Sequence, residues 1–292
     1  MTEGFKFAEN FFTTGMRSLL YIFFLLAPAT GSSQLFDTAA YHITADLSTG
    51  RDNFFKTDPV WRGADGAASI DMGNGKLLWL FSDSFISPDS SSSRKKAPFV
   101  RNSIAIQNGY HLKTASVNYY WNRTGKKPVA FFHLPGKPWF WTGHGTMIKD
   151  KLLIFLLKEK AVKKGLGFEA TGWYAVLISY PQDDPETWKM KYMKGPQTYG
   201  LIAGSAAVLK DDKYVYEYGA VEPSTHEVYV LRWELEKAYN GDISGPEWWM
   251  NGKWMQRKNK LPLPEPLFIG QTEFSIHYDS LLKKFLQFQS FG

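Results

Sequence analysis

The chain has 292 residues and no cysteine, so its core must stand without disulfides, and a lipid-modified cysteine behind an export signal is excluded. Thirty-four Lys and Arg against 28 Asp and Glu leave a net charge of +6, and the basic residues are scattered through turn-like contexts (Arg94-Lys95-Lys96, Lys126-Lys127, Lys163-Lys164). That distribution reads as solvated surface and argues against a nucleic-acid partner.

In chain order, Met16-Arg17 precedes an apolar run from Leu19 to Ala27 and the small-residue stretch Ala29–Ser33. This is the charge, core and cleavage-site order of a secretory signal, and the apolar core falls short of the about 20 residues that span a bilayer. Residues 1–33 are therefore expected to be a signal peptide with an upstream extension, Met16 being the start. The mature domain, 34–292, is expected to be secreted or periplasmic with no membrane span.

Four hairpins follow at long intervals. Gly63-Ala64-Asp65-Gly66 leads through Asp71–Gly75 into Lys76–Phe81, and Gly143-His144-Gly145 leads through Lys149-Asp150 into Lys151–Leu156. Gly204-Ser205-Ala206 leads through Asp211-Asp212 into Lys213–Tyr216, and Gln271-Thr272-Glu273 leads through Asp279-Ser280 into Lys284–Phe288. Asn74-Gly75 is the strongest turn signal, because a two-residue turn matching strand twist needs positive φ at both positions. The polar positions Asp65, His144, Ser205 and Glu273 lie 79, 61 and 68 residues apart, longer than a WD-type repeat of roughly 40–45. Further strands are expected at Ser103–Gln107, Ser116–Trp121, Trp173–Ser179, Trp188–Met193, Glu227–Trp233 and Lys253–Gln256. About four strands per unit make an all-β propeller of large blades, with a long β-sandwich as the competing architecture.

If the polar position begins the innermost strand of each blade, the end of the second strand and the start of the third share its face of the disc. That face then collects Asp65, Asp83, Arg101, Asn102, His144, Lys158-Glu159, Glu169, Glu222 and Glu273, with Arg62 beside Asp65. Carboxylates converging on a funnel suit glycoside hydrolysis, which needs one acid for the leaving oxygen and one base or nucleophile. Asp65 and Glu273 form the expected catalytic pair. Asp83 is expected to orient Arg62, Arg101 or Asn102 from behind. Eleven Trp, several clustered, offer stacking faces, and Trp139 and Trp141 are the expected sugar platforms. No Gly-x-Ser-x-Gly elbow, phosphate loop, dinucleotide fingerprint or zinc spacing occurs. No cofactor is expected, a hard cation such as Ca²⁺ held by axial carboxylates being the one option left open.

Trp61-Arg62-Gly63-Ala64-Asp65-Gly66-Ala67, with Leu78–Phe85 and Asn102–Ile106, resembles the first blade of a group of secreted bacterial domains of unknown function. These resemble in fold the five-bladed glycoside hydrolases of the arabinanase, β-xylosidase and levansucrase type, and the likeness covers about residues 55–292. The resemblance implies an Asp base on the first blade, matched by Asp65, an Asp tuning the acid on the second, and a Glu acid on the third. His144 and Ser205 stand at the latter two positions. Either Glu273, Glu169 or Glu222 then supplies the acid, or the protein binds an oligosaccharide or polysaccharide without cleaving it. Five blades at about seventy residues each exceed the mature length. The chain is thus expected to be a C-terminally truncated propeller with three blades and part of a fourth, the remainder lost or supplied by another chain.

Overall fold

The computed structural model describes residues 49–289 except 91–92, 137–138, 223, 258–262 and 272. The expected signal peptide lies outside the described residues, all of which fall in one unit, Ser48–Gly292. A short helix α1 (Thr49–Phe54) leads into β1 (Trp61–Ala64), β2 (Ala67–Gly73), β3 (Lys76–Phe81), β4 (Ser84–Ile86), β5 (Phe99–Val100), β6 (Ser103–Asn108), β7 (Ser116–Tyr120), β8 (Asn122–Thr124) and β9 (Lys127–Val129). There follow β10 (Phe140–Ile148), β11 (Lys151–Ala161), β12 (Phe168–Ser179), β13 (Lys189–Lys194), β14 (Leu201–Lys210), β15 (Tyr214–Val221) and β16 (Glu227–Glu234). Helix α2 (Leu235–Tyr239), β17 (Glu247–Met250), β18 (Lys253–Gln256), β19 (Phe268–Ile269), β20 (Phe274–Asp279) and β21 (Lys284–Gln289) complete the order.

Three antiparallel sheets carry the fold, in the orders β2-β3-β6-β7, β10-β11-β12-β13 and β14-β15-β16-β17-β18, and β20-β21 adds a hairpin. All four expected hairpins are therefore present. Asn74 and Gly75 take positive φ at the first turn. The third and fourth turns are held by aspartates whose Oδ1 accepts two backbone N–H groups, Asp211 from Lys213 and Tyr214, Asp279 from Leu281 and Leu282. The expected strand Lys253–Gln256 is a fifth strand and not the fourth. Trp248 sits in β17, which takes the fourth place because its buried ring faces the core beneath Tyr229.

The sheets pack face to face. On β11, Leu152, Ile154 and Leu156 enter one core with Ile70, Leu78 and Leu80 of the first sheet, while Leu153, Phe155 and Leu157 enter another with Tyr229, Leu231 and Trp233 of the third. Strand alternation thus splits one apolar run between two interfaces. Burying each such side chain stabilises by about 1.5–3 kcal/mol. Phe274 and Ile276 of β20 continue the series against Ala206, Ala207 and Val228. At the other end, Trp61, Ile86 and Val100 of the small sheet β1-β4-β5 cover Phe81 and Ala105. The inner strands β2, β10, β14 and β20 lie side by side in that order. This is blade packing in an almost all-β unit, and among the described residues no sheet closes on itself. Nor is any described helix long and apolar enough to cross a membrane.

The inner strands are bulged. The β10–β11 register slips between Thr142 and Gly145, and the β14–β15 register between Ile202 and Ala207. At these bulges a Cβ on Gly143 would stand 2.3 Å from the Gly204 carbonyl oxygen, and a Cβ on Gly204, which has φ +71°, would stand 2.3 Å from Phe155. The two strands approach so closely because neither position carries a side chain. Gly204→Ala is expected to cost about 2–4 kcal/mol through overpacking and strained φ, read as a lower urea midpoint at unchanged m-value.

Candidate functional site

The bulges shift the expected register of the site. Glu273 sits immediately before β20 and Asp65 in the two-residue link between β1 and β2, but His144 and Ser205 lie inside β10 and β14. Gly145 packs against Ile70, five residues beyond Asp65, whereas Thr142 Oγ1 lies 3.4 Å from Ser82 Oγ, and the Ser82 N–H donates to the Asp65 carbonyl. The site level of the second sheet is therefore Trp141-Thr142. His144 is set deeper, within electrostatic reach of His277 of β20. Its Nδ1 is buried without a partner among the described residues. Burial, followed by the neighbouring His277 and opposed by a Gly145 backbone bond, pushes it down to about 4, so it is neutral at physiological pH. Ser205 is buried, and its Oγ accepts the Ala220 N–H.

Around Asp65 the backbone is fixed by Asp65 N–H to the Asp83 carbonyl at 3.0 Å. Asp65 is open to solvent, yet partial desolvation, then the charge of Asp83, then that of Glu273 raise its carboxyl, with backbone N–H groups of Asp83 and Asp65 pulling the other way. Asp83 and Glu273 thus both act electrostatically on Asp65. Asp83 is itself held: Arg101 Nη1 lies 3.3 Å from its Oδ2, and Trp141 Nε1 donates to its Oδ1 at 2.9 Å. The Arg101 guanidinium stacks on Trp139 at 4.0 Å and on Phe99 at 4.7 Å. Of the three expected partners of Asp83, only Arg101 meets it. Trp139 is a seat for that arginine, and Trp141, edge-on to Phe168 at 4.5 Å, is tied to Asp83, so neither ring presents two free faces to a sugar.

Two expected residues turn elsewhere. Asn102 is fully buried, donating to the Phe132 and Phe140 carbonyls at 3.0 and 2.8 Å and accepting the Phe132 N–H at 2.7 Å, so its amide pins the approach to β10 and has no atom left for a ligand. Arg62 Nη2 donates to the Ser90 carbonyl, and its Nε is buried without a partner among the described residues.

A second acidic group surrounds Glu159, which was expected on the site face with Lys158 and is set in the interior at the end of the apolar strand β11. Glu159 is 1% exposed, its N–H donates to the Trp139 carbonyl at 3.0 Å, and its Oε2 lacks a partner among the described residues. Burial, then the charges of Glu222 and Glu169, push it up to about 7. Glu169 pairs with Lys160 at 2.6 Å, and Glu222 Oε1 lies 3.0 Å from His226 Nδ1. Glu222 also lines a cleft between the second and third sheets with Lys158, Thr171, Tyr174, Lys194 and Gln197. Trp139, bonded to Glu159 and stacked on Arg101, joins this group to the one around Asp65. Among the described residues no three His, Asp or Glu are disposed to hold a metal ion.

Packed inner strands ending in converging carboxylates define a propeller-like β-domain with an acidic site at one end of its inner strands. The family model described as "Domain of unknown function (DUF5005)" matches residues 49–279, and the chain belongs to that family. A comparison with curated proteins gives no match. Among solved structures the chain is similar to a Bacteroides ovatus ATCC 8483 protein provisionally described as a hydrolase, with 17% identity and a TM-score of 0.54 over 74% of this chain and 58% of that one. It is also similar to Trypanosoma rangeli sialidase in complex with the inhibitor DANA (14% identity, TM-score 0.36, 76% of this chain and 33% of that one). A third is the GH43 BlXynB protein from Bacillus licheniformis (10% identity, TM-score 0.27, 75% and 47%). The first likeness shows a shared fold, and the chain spans 58% of that protein's length. The other two are too distant to carry an argument.

The folded-state value of Glu159 lies above the ordinary 4.5, so folding binds its proton more tightly and the stability linked to it, complete below about pH 4.5, is lost as pH rises through about 7. Relative to wild type, Glu159→Gln is expected to gain up to about 3 kcal/mol between pH 4 and pH 8, at 1.36 kcal/mol per unit, in parallel urea denaturation series. Equal pH dependence in the two proteins contradicts the assignment.

Proposed function

We propose that the domain acts on an extracellular or periplasmic glycan, reached after removal of residues 1–33, and hydrolyses a glycosidic bond with paired carboxylates on a five-bladed propeller scaffold. The supporting observation is the convergence of Asp65, Asp83 and Glu273, which come from opposite ends of the described sequence and act on one another electrostatically. Asp65 takes a proton from the attacking water, for which a raised carboxyl is the stronger base. Glu273 gives a proton to the departing sugar oxygen, so that water is added across the broken C–O bond. Asp83, fixed by Arg101 and Trp141, raises Asp65 from behind.

A second reading, glycan binding without cleavage, is favoured by one observation: at the site level the second sheet offers Trp141 and Thr142 in place of a carboxylate. Asp65→Asn separates the two. On a substrate found among aryl glycosides and polysaccharides, the variant is expected to lose about 10²–10⁴ in kcat with an unchanged melting temperature. Full activity in the variant excludes Asp65 as the base. Binding on a glycan array without turnover of any bound glycan by the wild-type protein supports the second reading.

A further inference from the structure

The second sheet ends unevenly at the site. Its two middle strands run past both neighbours: β10 pairs with β11 as far as Phe140 opposite Lys158, and β13 pairs with β12 as far as Lys194 opposite Tyr174. Beyond those pairs β11 and β12 continue as a two-stranded ladder, with Glu159 opposite Ala170, Lys160 opposite Glu169 and Ala161 opposite Phe168. The Val162 N–H closes it on the Gly167 carbonyl, and residues 163–167 are exposed, Leu166 by 84%. A two-stranded hairpin is marginal in water, so this extension is the part of the sheet that opens at least cost.

Its root is able to bend. Leu157 faces Trp173 whereas Glu159 faces Ala170, so β12 carries one residue more than β11 across the slip in register. Gly172 stands at this bulge with φ +133° and open space where a side chain would be. A bulge bends its strand and interrupts the ladder, and glycine takes the backbone angle that the bend requires. Across the slip the Thr171 hydroxyl donates to the Lys158 carbonyl at 3.1 Å. The Lys160–Glu169 pair nearer the tip is internal to the hairpin and moves with it.

An aromatic contact ties the hairpin to the site. The Phe168 ring meets Trp141 edge-on at 4.5 Å. Trp141 lies opposite Leu157 on β10, and its Nε1 donates to Asp83 Oδ1 at 2.9 Å. The position of the hairpin, the orientation of the indole and the hold on Asp83 are thus linked in series.

We propose that residues 159–171 form a lid at the acidic site, hinged at the Gly172 bulge and latched by Phe168 on Trp141, so that closing it fixes Asp83 and opening it loosens Asp83 from the indole. Phe168 is then a positioning residue for Asp83. This rests on the reading that the carboxylates around Asp65 form the working site, and not on whether that site cleaves a glycan.

The chain has no cysteine, so Leu166→Cys and Asn118→Cys, the latter at an exposed position of β7, place two spin labels and no others. Pulsed double-resonance EPR on the ligand-free protein is expected to give two discrete distances, closed and open. Phe168→Ala in the same background is expected to raise the ratio of open to closed about threefold to tenfold, and Phe168→Tyr, which keeps the ring edge, to leave it near the wild-type ratio. In hydrogen exchange followed by NMR, the Trp141 indole N–H is expected to exchange faster in Phe168→Ala by the same about threefold to tenfold. The indole N–H groups of Trp61 and Trp233, bonded to Ser103 Oγ and the Ile243 carbonyl, are expected to keep their rates at an unchanged melting temperature. A single distance that Phe168→Ala leaves unchanged overturns the lid, and an unchanged Trp141 rate overturns its hold on Asp83. Neither measurement uses a saccharide, so failure of the glycan reading would show separately, as no saccharide bound by a protein whose lid still moves.

Discussion

The close approach of Gly143 to Gly204 sets where the side chains of the second and third sheets fall along their inner strands. A bulge in each of two neighbouring inner strands lets one backbone press on the other, with Phe155 filling the space behind. An extra residue in one strand shifts everything preceding it along the strand direction. That is why the second sheet reaches the site level with Trp141 and Thr142, and why His144, expected on that face, is set inside β10 with its Nδ1 buried. The third sheet shows the same effect more strongly, and Glu217 sits behind its bulge: fully buried, its carboxyl receives the Gly204 N–H, and burial raises it well above the ordinary range. The acid acts there as a neutral brace for a distorted backbone.

Much of the fold was legible because its signals are local. The Asn74-Gly75 turn, the Asp-led turns at Asp211 and Asp279, and the unbroken apolar run of β11 each depend on a few contiguous residues, and each hairpin formed where those residues stand. The errors came from relations across sheets. Lys253–Gln256 was expected and is a strand, whereas Glu247–Met250, buried on the Trp248 side and half-exposed on the other, has no clean period to mark it. The register at His144 and Ser205 could not be read because a bulge has no dependable sequence mark beyond its glycines.

The site was partly legible for the same reason. Asp65, Asp83 and Glu273 stand next to turns, where Gly and small neighbours announce them. Glu159 was legible as a polar position at the end of an apolar strand, but its depth was not: a carboxyl so buried near other acids has a perturbed affinity for protons that a sequence cannot display. Asn102 and Trp139 illustrate the converse. Both have the chemistry of ligand contacts, yet the amide is consumed by backbone groups of residues 132 and 140, and the ring by the guanidinium of Arg101.

Glu273 arrives on an element unlike those that carry the other carboxylates. Asp65 precedes β2 and Glu159 lies in β11, both strands of four-stranded sheets, whereas among the described residues β20 pairs with β21 alone and packs through Phe274 and Ile276 against Ala206, Ala207 and Val228. The place of Glu273 relative to Asp65 is thus relayed by two apolar side chains one and three residues beyond it, so trimming either would displace the carboxylate without altering it.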